Sequence, residues 1–385
     1  MGEKNKTTGK RVMILAAVWT LGAVIVLVAV FVLALFLFVK CSAAVADFSL
    51  PARDRADYAD RAGNFDGKGF RNERDFQIML RGASSLDDGI VSGKGTVPED
   101  PIPVVRPDFY PALDPGDFSF TWLGHSTLLL RLREMNILFD PILTRLVSPV
   151  RFTGVKRFSD PPAAADDLPK IDLLILTHDH YDHLDYQTIR ALDGKVERYI
   201  GPLGVEHRLR HFGVAREKIT KMAWWEEIAI GSLKIACTPA RHFSGRCMLD
   251  RDKTLWCSFV LADEKRKIFV SGDTGYDAHF GRIRERYGDF DLVFTDGAQY
   301  DPRWPSVHMK PEEAFRAIGD LGAKYAVPIH WGAFRLANHP WDDSAVRLVR
   351  AAEGSAVSII TPRIGETVPF DSIERYRQRW YEDVR

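Results

Sequence analysis

The stretch Thr177-His178-Asp179-His180-Tyr181-Asp182-His183-Leu184-Asp185 gathers three imidazoles and three carboxylates within nine residues. His178 and His180 sit two apart in a turn, so their rings can converge on one metal ion. Asp182 and His183 lie just beyond and can reach a second. Zinc is typically held by His nitrogen and Asp oxygen, and an open coordination position makes such a site catalytic. The chain has 11 histidines in 385 residues. A chance H-x-H-x-D-H is therefore expected on the order of once in a thousand such chains. The run reads as a metal-binding motif rather than a solvated polar loop.

The apolar run Ile171 to Leu176 directly precedes the cluster. It reads as a buried strand of an α/β domain, delivering the polar residues to its C-terminal edge, where such sheets bind ligands. If the cluster is half of a dinuclear site, the other ligands must come from later strand ends. His242 follows the strand-like run Leu233 to Ala240, Asp273 follows Lys267 to Gly272, and His330 closes Lys324 to Ile329. Each stands just past a β run, where the backbone is rigid enough to preorganise a ligand.

The series H-x-H-x-D-H, P-A-R-H (239–242), S-G-D-T-G (271–275) and I-H-W-G (329–332) resembles the metallo-β-lactamase superfamily. Further stretches are similar to the branch that contains N-acyl-phosphatidylethanolamine-hydrolysing phospholipase D. They are Trp122 to Thr127, Pro149-Val150-Arg151-Phe152, Gly272 to Tyr276, Tyr300 to Trp304, His308 to Ala314 and His330 to Phe334. The resemblance implies that His178, His180 and His242 hold one zinc and Asp182, His183 and His330 the other, with Asp273 bridging. It implies two zinc ions, iron or manganese being the alternative in one site. Two cations sharing a carboxylate lower the pKa of a water between them from ~16 toward neutrality. They also face the negative charge that builds on a phosphodiester in the transition state.

The candidate catalytic residues are Asp182, Asp273 and His308. His308 precedes a helix start marked by Pro311 and the acidic Glu312 and Glu313. It is suited to orienting substrate or protonating a leaving alkoxide, and equally to a structural contact. His125 follows the strand-like run Phe118 to Leu123 and is expected beside the ligands rather than among them. Asp185 fits a carboxylate that holds a histidine tautomer, and Tyr276 is a candidate for phosphate contact or packing. Thr295-Asp296-Gly297-Ala298 places a carboxylate where the resembled branch is typically apolar. There it is expected to alter metal preference or repel an anionic substrate.

A second signal lies at the N-terminus. Residues 12–39 carry no charge and consist mainly of Val, Leu, Ala, Ile and Phe. A bilayer core of ~30 Å needs roughly 20 helical residues, so this segment spans with room for tilt. A cleaved signal peptide ending near Ala44-Val45-Ala46 is the rival, but its apolar region would far exceed the usual ~7–15 residues. Lys4, Lys6, Lys10 and Arg11 precede the span, while Lys40, Arg53 and Arg55 follow. That bias favours a single pass with a cytoplasmic N-terminus and an extracytoplasmic catalytic domain. Cys237, Cys247 and Cys257 fall at ten-residue intervals and Cys41 adjoins the span. They indicate neither a disulfide framework nor a thiolate zinc site.

The expected organisation is a basic tail (1–11), an anchor (12–39), a linker and extension (40–114) with Phe70 to Phe76 packing as an arm, and a catalytic domain (115–385). Helical spacing marks Tyr186 to Leu192, Val205 to His211, Pro311 to Leu321 and Asp343 to Ala352. Strand–helix alternation around two β-rich halves fits an α/β fold, the αββα sandwich of the resembled superfamily, preceded by a transmembrane helix. The formal net charge is zero, which argues against a nucleic-acid surface. The expected function is membrane-anchored dizinc hydrolysis of a phosphodiester, on a phospholipid of the N-acylated ethanolamine type. Aromatic clusters at Trp224-Trp225 and Trp304 are candidates for an acyl groove or for core packing. The partners expected are an amphiphilic substrate, the membrane and a second copy of the chain. A lactonase or amide hydrolase is the alternative on this scaffold, and a non-catalytic metal-binding protein the alternative outside enzymes.

Overall fold

The computed structural model describes residues 2–40, 42–45, 50–80, 95–112, 117–132, 134–150, 153–247 and 249–385. Cys41, Ala46, Arg151, Phe152 and the 114/115 boundary lie outside the described residues.

Helix α1 (Gly2–Lys40) runs through both the basic residues 2–11 and the apolar span. No side chain between Met13 and Phe38 is buried, and the segment is long and apolar enough to cross a membrane. A core helix of this composition would be covered by its own chain. Within the expected linker a second helix forms, α2 (Ala52–Arg61). Arg61 docks it by a two-pronged contact to Glu226, at 2.9 and 2.6 Å. The Phe70 arm packs as expected, with Tyr58, Phe65 and Phe70 in mutual ring contact.

The catalytic body begins with β1 (Phe118–Trp122), β2 (Leu128–Leu132), β3 (Met135–Phe139) and a small hairpin, β4 (Leu146–Val147) and β5 (Val155–Lys156). It continues through β6 (Ile171–Ile175), α3 (Tyr186–Leu192), β7 (Val196–Pro202), α4 (Val205–His211) and β8 (Ile219–Met222). The second half holds β9 (Glu227–Ile230), β10 (Leu233–Thr238), β11 (Ser258–Ala262), β12 (Lys267–Val270), α5 (His279–Tyr287) and β13 (Leu292–Asp296). It ends with α6 (Pro311–Asp320), β14 (Tyr325–Ile329), α7 (Asp343–Ala351), β15 (Ser358–Ile359) and β16 (Thr367–Pro369).

Two seven-stranded sheets result, ordered β16-β1-β2-β3-β6-β7-β8 and β15-β14-β13-β12-β11-β10-β9. Strand alternation decides the layers, because successive side chains leave opposite faces. On β6, Leu173 and Ile175 enter the core between the sheets, whereas Leu174 joins Ile189, Leu192 and Leu209 under α3 and α4. On β13, Phe294 faces inward and Val293 packs with Phe280, Ile318 and Leu348 under the helices of the other face. The architecture is the αββα sandwich expected from the sequence.

Strand direction then places the chemistry. β3 runs parallel to β6, and β12, β13 and β14 run parallel to one another. β10 is antiparallel to β11, which is antiparallel to β12, so β10 and β12 point the same way. The same relation holds for β1 and β3 through β2. Within each sheet the C-terminal ends of these strands therefore lie at one edge, and contacts between the turns, such as His330 N to His125 O at 3.0 Å, bring the two edges together.

Candidate metal centre

Where the two edges come together the seven sequence-predicted ligands meet as two groups. In the first, His178 Nε2 lies 2.9 Å from His180 Nδ1, and His242 Nε2 lies 3.2 Å from the same atom. Asp273 Oδ2 stands 3.7 Å from both His178 Nε2 and His242 Nε2. In the second, His183 Nε2 is 3.1 Å from Asp273 Oδ1 and 3.6 Å from Asp182 Oδ2. His330 Nδ1 is 3.2 Å from Asp273 Oδ1. One Asp273 oxygen thus faces each group, the geometry a bridging carboxylate requires.

These atoms fit divalent cations. Ligand atoms on a tetrahedron with bonds of ~2.0–2.1 Å stand ~3.3 Å apart, close to the separations found. Among the described residues His183 Nε2 and Asp273 Oδ1 are buried without a hydrogen-bond partner, which a native protein rarely tolerates without an ion or water. Burial holds His178, His242 and His330 well below the ordinary histidine value, and neighbouring imidazoles push the same way. Burial also brings His180 down to about 4. These rings are neutral and ready to donate lone pairs. Burial pushes Asp273 up to about 6. Burial opposes charge on His183 too, yet Asp273, Asp182 and Asp140 hold it well above the usual histidine range. A proton on His183 is then the counter-charge to three carboxylates, a role a divalent cation fills more strongly.

The ligands are held by a further shell of contacts. Asp140, at the end of β3, accepts from Thr177 N at 2.8 Å and Thr177 Oγ1 at 2.6 Å, and sits 2.9 Å from His183 Nδ1. Sequence reasoning missed this carboxylate. It assigned the tautomer-holding role to Asp185, which instead caps α3 by accepting from Thr188 N and Oγ1. His242 Nδ1 donates to Val307 O at 3.1 Å, which leaves Nε2 for an ion. Ser126 Oγ lies 3.1 Å from His330 Nδ1, and with Ser126 behind it that ring turns Nε2 toward Asp182, 4.0 Å away. His125 Nε2 reaches Asp182 Oδ2 at 2.8 Å. Its ring joins Asp182, His183 and His330 in one group close enough to hold an ion, so the structure places it among the candidate ligands and not only beside them. Asn72, from the arm, grips the backbone of His242 at both O and N, at 2.7 and 3.1 Å.

The backbone is shaped to this end. His330, Asp140 and His125 all have positive φ, at 69°, 40° and 53°, a conformation non-glycine residues adopt chiefly where surroundings enforce it. Gly272 has φ +57°, and a Cβ there would meet Thr177 Cβ at 2.7 Å. The Asp273 turn can approach the His178 loop so closely only with glycine at this place.

Asp296 departs from expectation. It is fully buried and accepts from Thr274 N and Ala298 N. Its Oδ2 lies 3.0 Å from His308 Nδ1. His308 and these backbone N–H groups meet its carboxylate, and it in turn adds to burial in holding the pKa of Asp273 up. Tyr276 bonds Asp320 and stacks on Phe280, a packing role. Trp224 packs on Trp256 and donates to its carbonyl, while Trp304 lines a cavity of about 320 Å³ above the ligands. That cavity touches His180, Asp182, His308 and His330, and its apolar wall includes Ile78, Met79, Phe243 and Leu336.

The β-lactamase superfamily domain matches residues 135–331, about half of the 385 residues. The chain belongs to this metallo-β-lactamase superfamily and is by class a metal-dependent hydrolase with a dinuclear His/Asp site. An uncharacterized protein of Mycobacterium tuberculosis (strain ATCC 25618 / H37Rv) is 40% identical over 275 residues, 70% of this chain and 73% of that one. The N-acyl-phosphatidylethanolamine-hydrolyzing phospholipase D 1 of Caenorhabditis elegans is 32% identical over 229 residues, 56% of this chain and 64% of that protein. Among solved structures, the isothiocyanate hydrolase from Delia radicum gut bacteria superposes with a TM-score of 0.51 at 20% identity, over 65% of this chain and 98% of that one. That likeness concerns the fold alone.

Proposed function

We propose that the protein hydrolyses a phosphodiester of a membrane lipid, in a phospholipase D-type reaction on an N-acyl-phosphatidylethanolamine-like substrate. Two zinc ions would be held by His178, His180 and His242 and by Asp182, His183 and His330, with Asp273 between. The observation that carries this reading is the split of the Asp273 oxygens between two histidine groups beneath a cavity with an apolar wall. The cations would supply Lewis acidity and a water of lowered pKa. Ile78, Met79, Phe243 and Leu336 would exclude water and take acyl methylenes. His308 gives Nδ1 to Asp296, which leaves Nε2 for substrate. Burial opposes its charge, but Asp296 holds its pKa above the ordinary value, so it can donate a proton to the leaving alkoxide.

Helix α1 supports a membrane anchor, with the N-terminus cytoplasmic and the catalytic domain outside by the positive-inside bias. An anchor holds the cavity where an amphiphile is concentrated. The test uses the full chain in detergent micelles, loaded with zinc, against N-acyl phosphatidylethanolamine, a generic phosphodiester and a lactone panel. Release of phosphatidic acid is expected. Turnover of lactones alone would refute the phosphodiesterase reading.

A further inference from the structure

The segment by which α1 enters the catalytic body is built into the scaffold of the metal loop. Val45 is fully buried. Its carbonyl accepts from Arg208 Nη1 at 3.1 Å, and the carbonyl of Ala44 accepts from Arg246 Nε at 2.7 Å. Ser42 Oγ adds a bond to the carbonyl of Pro149. Both arginines are buried, and each reaches onward to the loop that carries His178, His180, Asp182 and His183. Arg246 Nη1 donates to Asp179 O at 2.7 Å and Leu184 O at 2.8 Å, near the two ends of that loop. Arg208 pairs with Asp179 Oδ2 at 3.0 Å and Asp250 Oδ2 at 2.7 Å. Asp179 stands between His178 and His180, and its other oxygen accepts from Gly245 N at 2.8 Å, three residues beyond His242.

A buried guanidinium is tolerable only where its N–H groups find acceptors. Among the described residues Arg246 Nη2 already lacks one. If residues 42–45 undock, the hydrogen-bond acceptors left to Arg246 among the described residues are the carbonyls of the metal loop, beside the ring of Tyr181. Arg208 loses an acceptor beside its two carboxylates. The burden falls on Asp179 and through it on both flanking ligands. We propose that residues 42–45 are a positioning segment, which couples the seating of the membrane helix to the rigidity of the metal centre. This requires only that the centre binds metal; the identity of the substrate does not enter.

The test is a graded series in the full chain in detergent, Val45→Ala, Val45→Thr and Val45→Asp, with Leu348→Ala as control. Leu348 is fully buried on α7 beneath the other sheet. The readouts are the rate of metal transfer to a chelator, the ligand-field spectrum of the cobalt-substituted protein, and the melting temperature. Removing support behind a ligand typically weakens metal binding about 10–100-fold. Release should accelerate along the series, by about tenfold or more in Val45→Asp, with a changed cobalt spectrum. Leu348→Ala should melt lower yet release metal at the parent rate. Parent-like release from the Thr and Asp variants would overturn the proposal. So would acceleration in Leu348→Ala matching its loss of melting temperature, which would reduce the segment to a general structural role. Either failure leaves the phosphodiesterase reading standing, because lipid turnover is measured separately.

Discussion

Asp140→Asn tests the reasoning about the metal centre at a residue that binds no substrate. The carboxylate has one oxygen on Thr177 N at 2.8 Å and the other shared by Thr177 Oγ1 and His183 Nδ1, at 2.6 and 2.9 Å. Asparagine is nearly the same size, but one of its two positions becomes an NH₂ donor. If the NH₂ faces His183, Nδ1 must turn acceptor and the ring proton moves to Nε2, the atom aimed at Asp273 and Asp182. A protonated Nε2 cannot ligate a cation.

The cost can be sized for either orientation. Loss of a partner behind a ligand weakens metal binding about 10–100-fold, or ~1.4–2.8 kcal/mol. If the NH₂ instead turns to Thr177 N, two buried donors meet, and an unsatisfied buried donor costs about 1–3 kcal/mol of fold stability. Each kcal/mol lowers the melting temperature of a domain this size by roughly 2–4 °C. Chelator competition would follow the two metals separately, and calorimetry the fold. Parent-like affinity at both sites together with an unchanged melting temperature would refute the argument, since no placement of the amide escapes both penalties.

His308→Gln should lower kcat by roughly 10²–10⁴-fold, the usual worth of a proton donor, while metal content stays at the parent value. Loss of a metal, by elemental analysis, would make His308 a ligand instead. His279, buried at the start of α5, has its pKa pushed down by burial from 6.5 to about 3. The unfolded chain then binds more protons below pH ~6.5, so stability falls as the pH drops toward ~3, by about 2 kcal/mol between pH 7 and pH 5. Urea unfolding of metal-free protein at the two pH values should show a shallower loss in His279→Gln. Chelation of the loaded protein should lower the melting temperature, because a site saturated at a thousand times its Kd adds about 4 kcal/mol. In Asp273→Ala most of that metal-dependent increment should vanish, and an equal melting temperature with and without chelator in the parent would contradict a metal-bound fold.

That these seven side chains would meet could be read from sequence because they stand in turns that follow apolar runs, and buried strands of a two-sided sheet are the clearest pattern a sequence carries. The same rule reaches Asp140, at the end of Asn136-Ile137-Leu138-Phe139, but a single carboxylate without histidines nearby gives no chemical signal. Asp185 was misassigned for a local reason. It stands three residues before Thr188 at a helix start, and an N-cap claims such a side chain before any distant histidine can. Asp296 looked like an intruder because the partner that meets its charge, His308, comes from the loop before α6, twelve positions away. Hydrophobic periodicity marks neither α2 nor α5. Only Tyr58 is buried on α2, and on α5 only His279, Phe280 and Ile283, too sparse a stripe for periodicity to register.

What the sequence could not express is how the ligands are divided between the sheets. The loop after β6, in the first sheet, gives His178, His180, Asp182 and His183, while the second sheet's strands β10, β12 and β14 give His242, Asp273 and His330. Each group draws on both sheets, and Asp273 touches both groups. The centre is therefore a clasp across the sandwich as well as a chemical site. A shift of one sheet against the other moves members of both groups at once, and the turns here are fixed accordingly. Gly272 lets the second sheet's turn press on Thr177 of the first, and the backbone of His330 is hydrogen-bonded to that of His125. The arm reaches over to hold His242 through Asn72, so even the N-terminal extension is drawn into keeping the two halves in register.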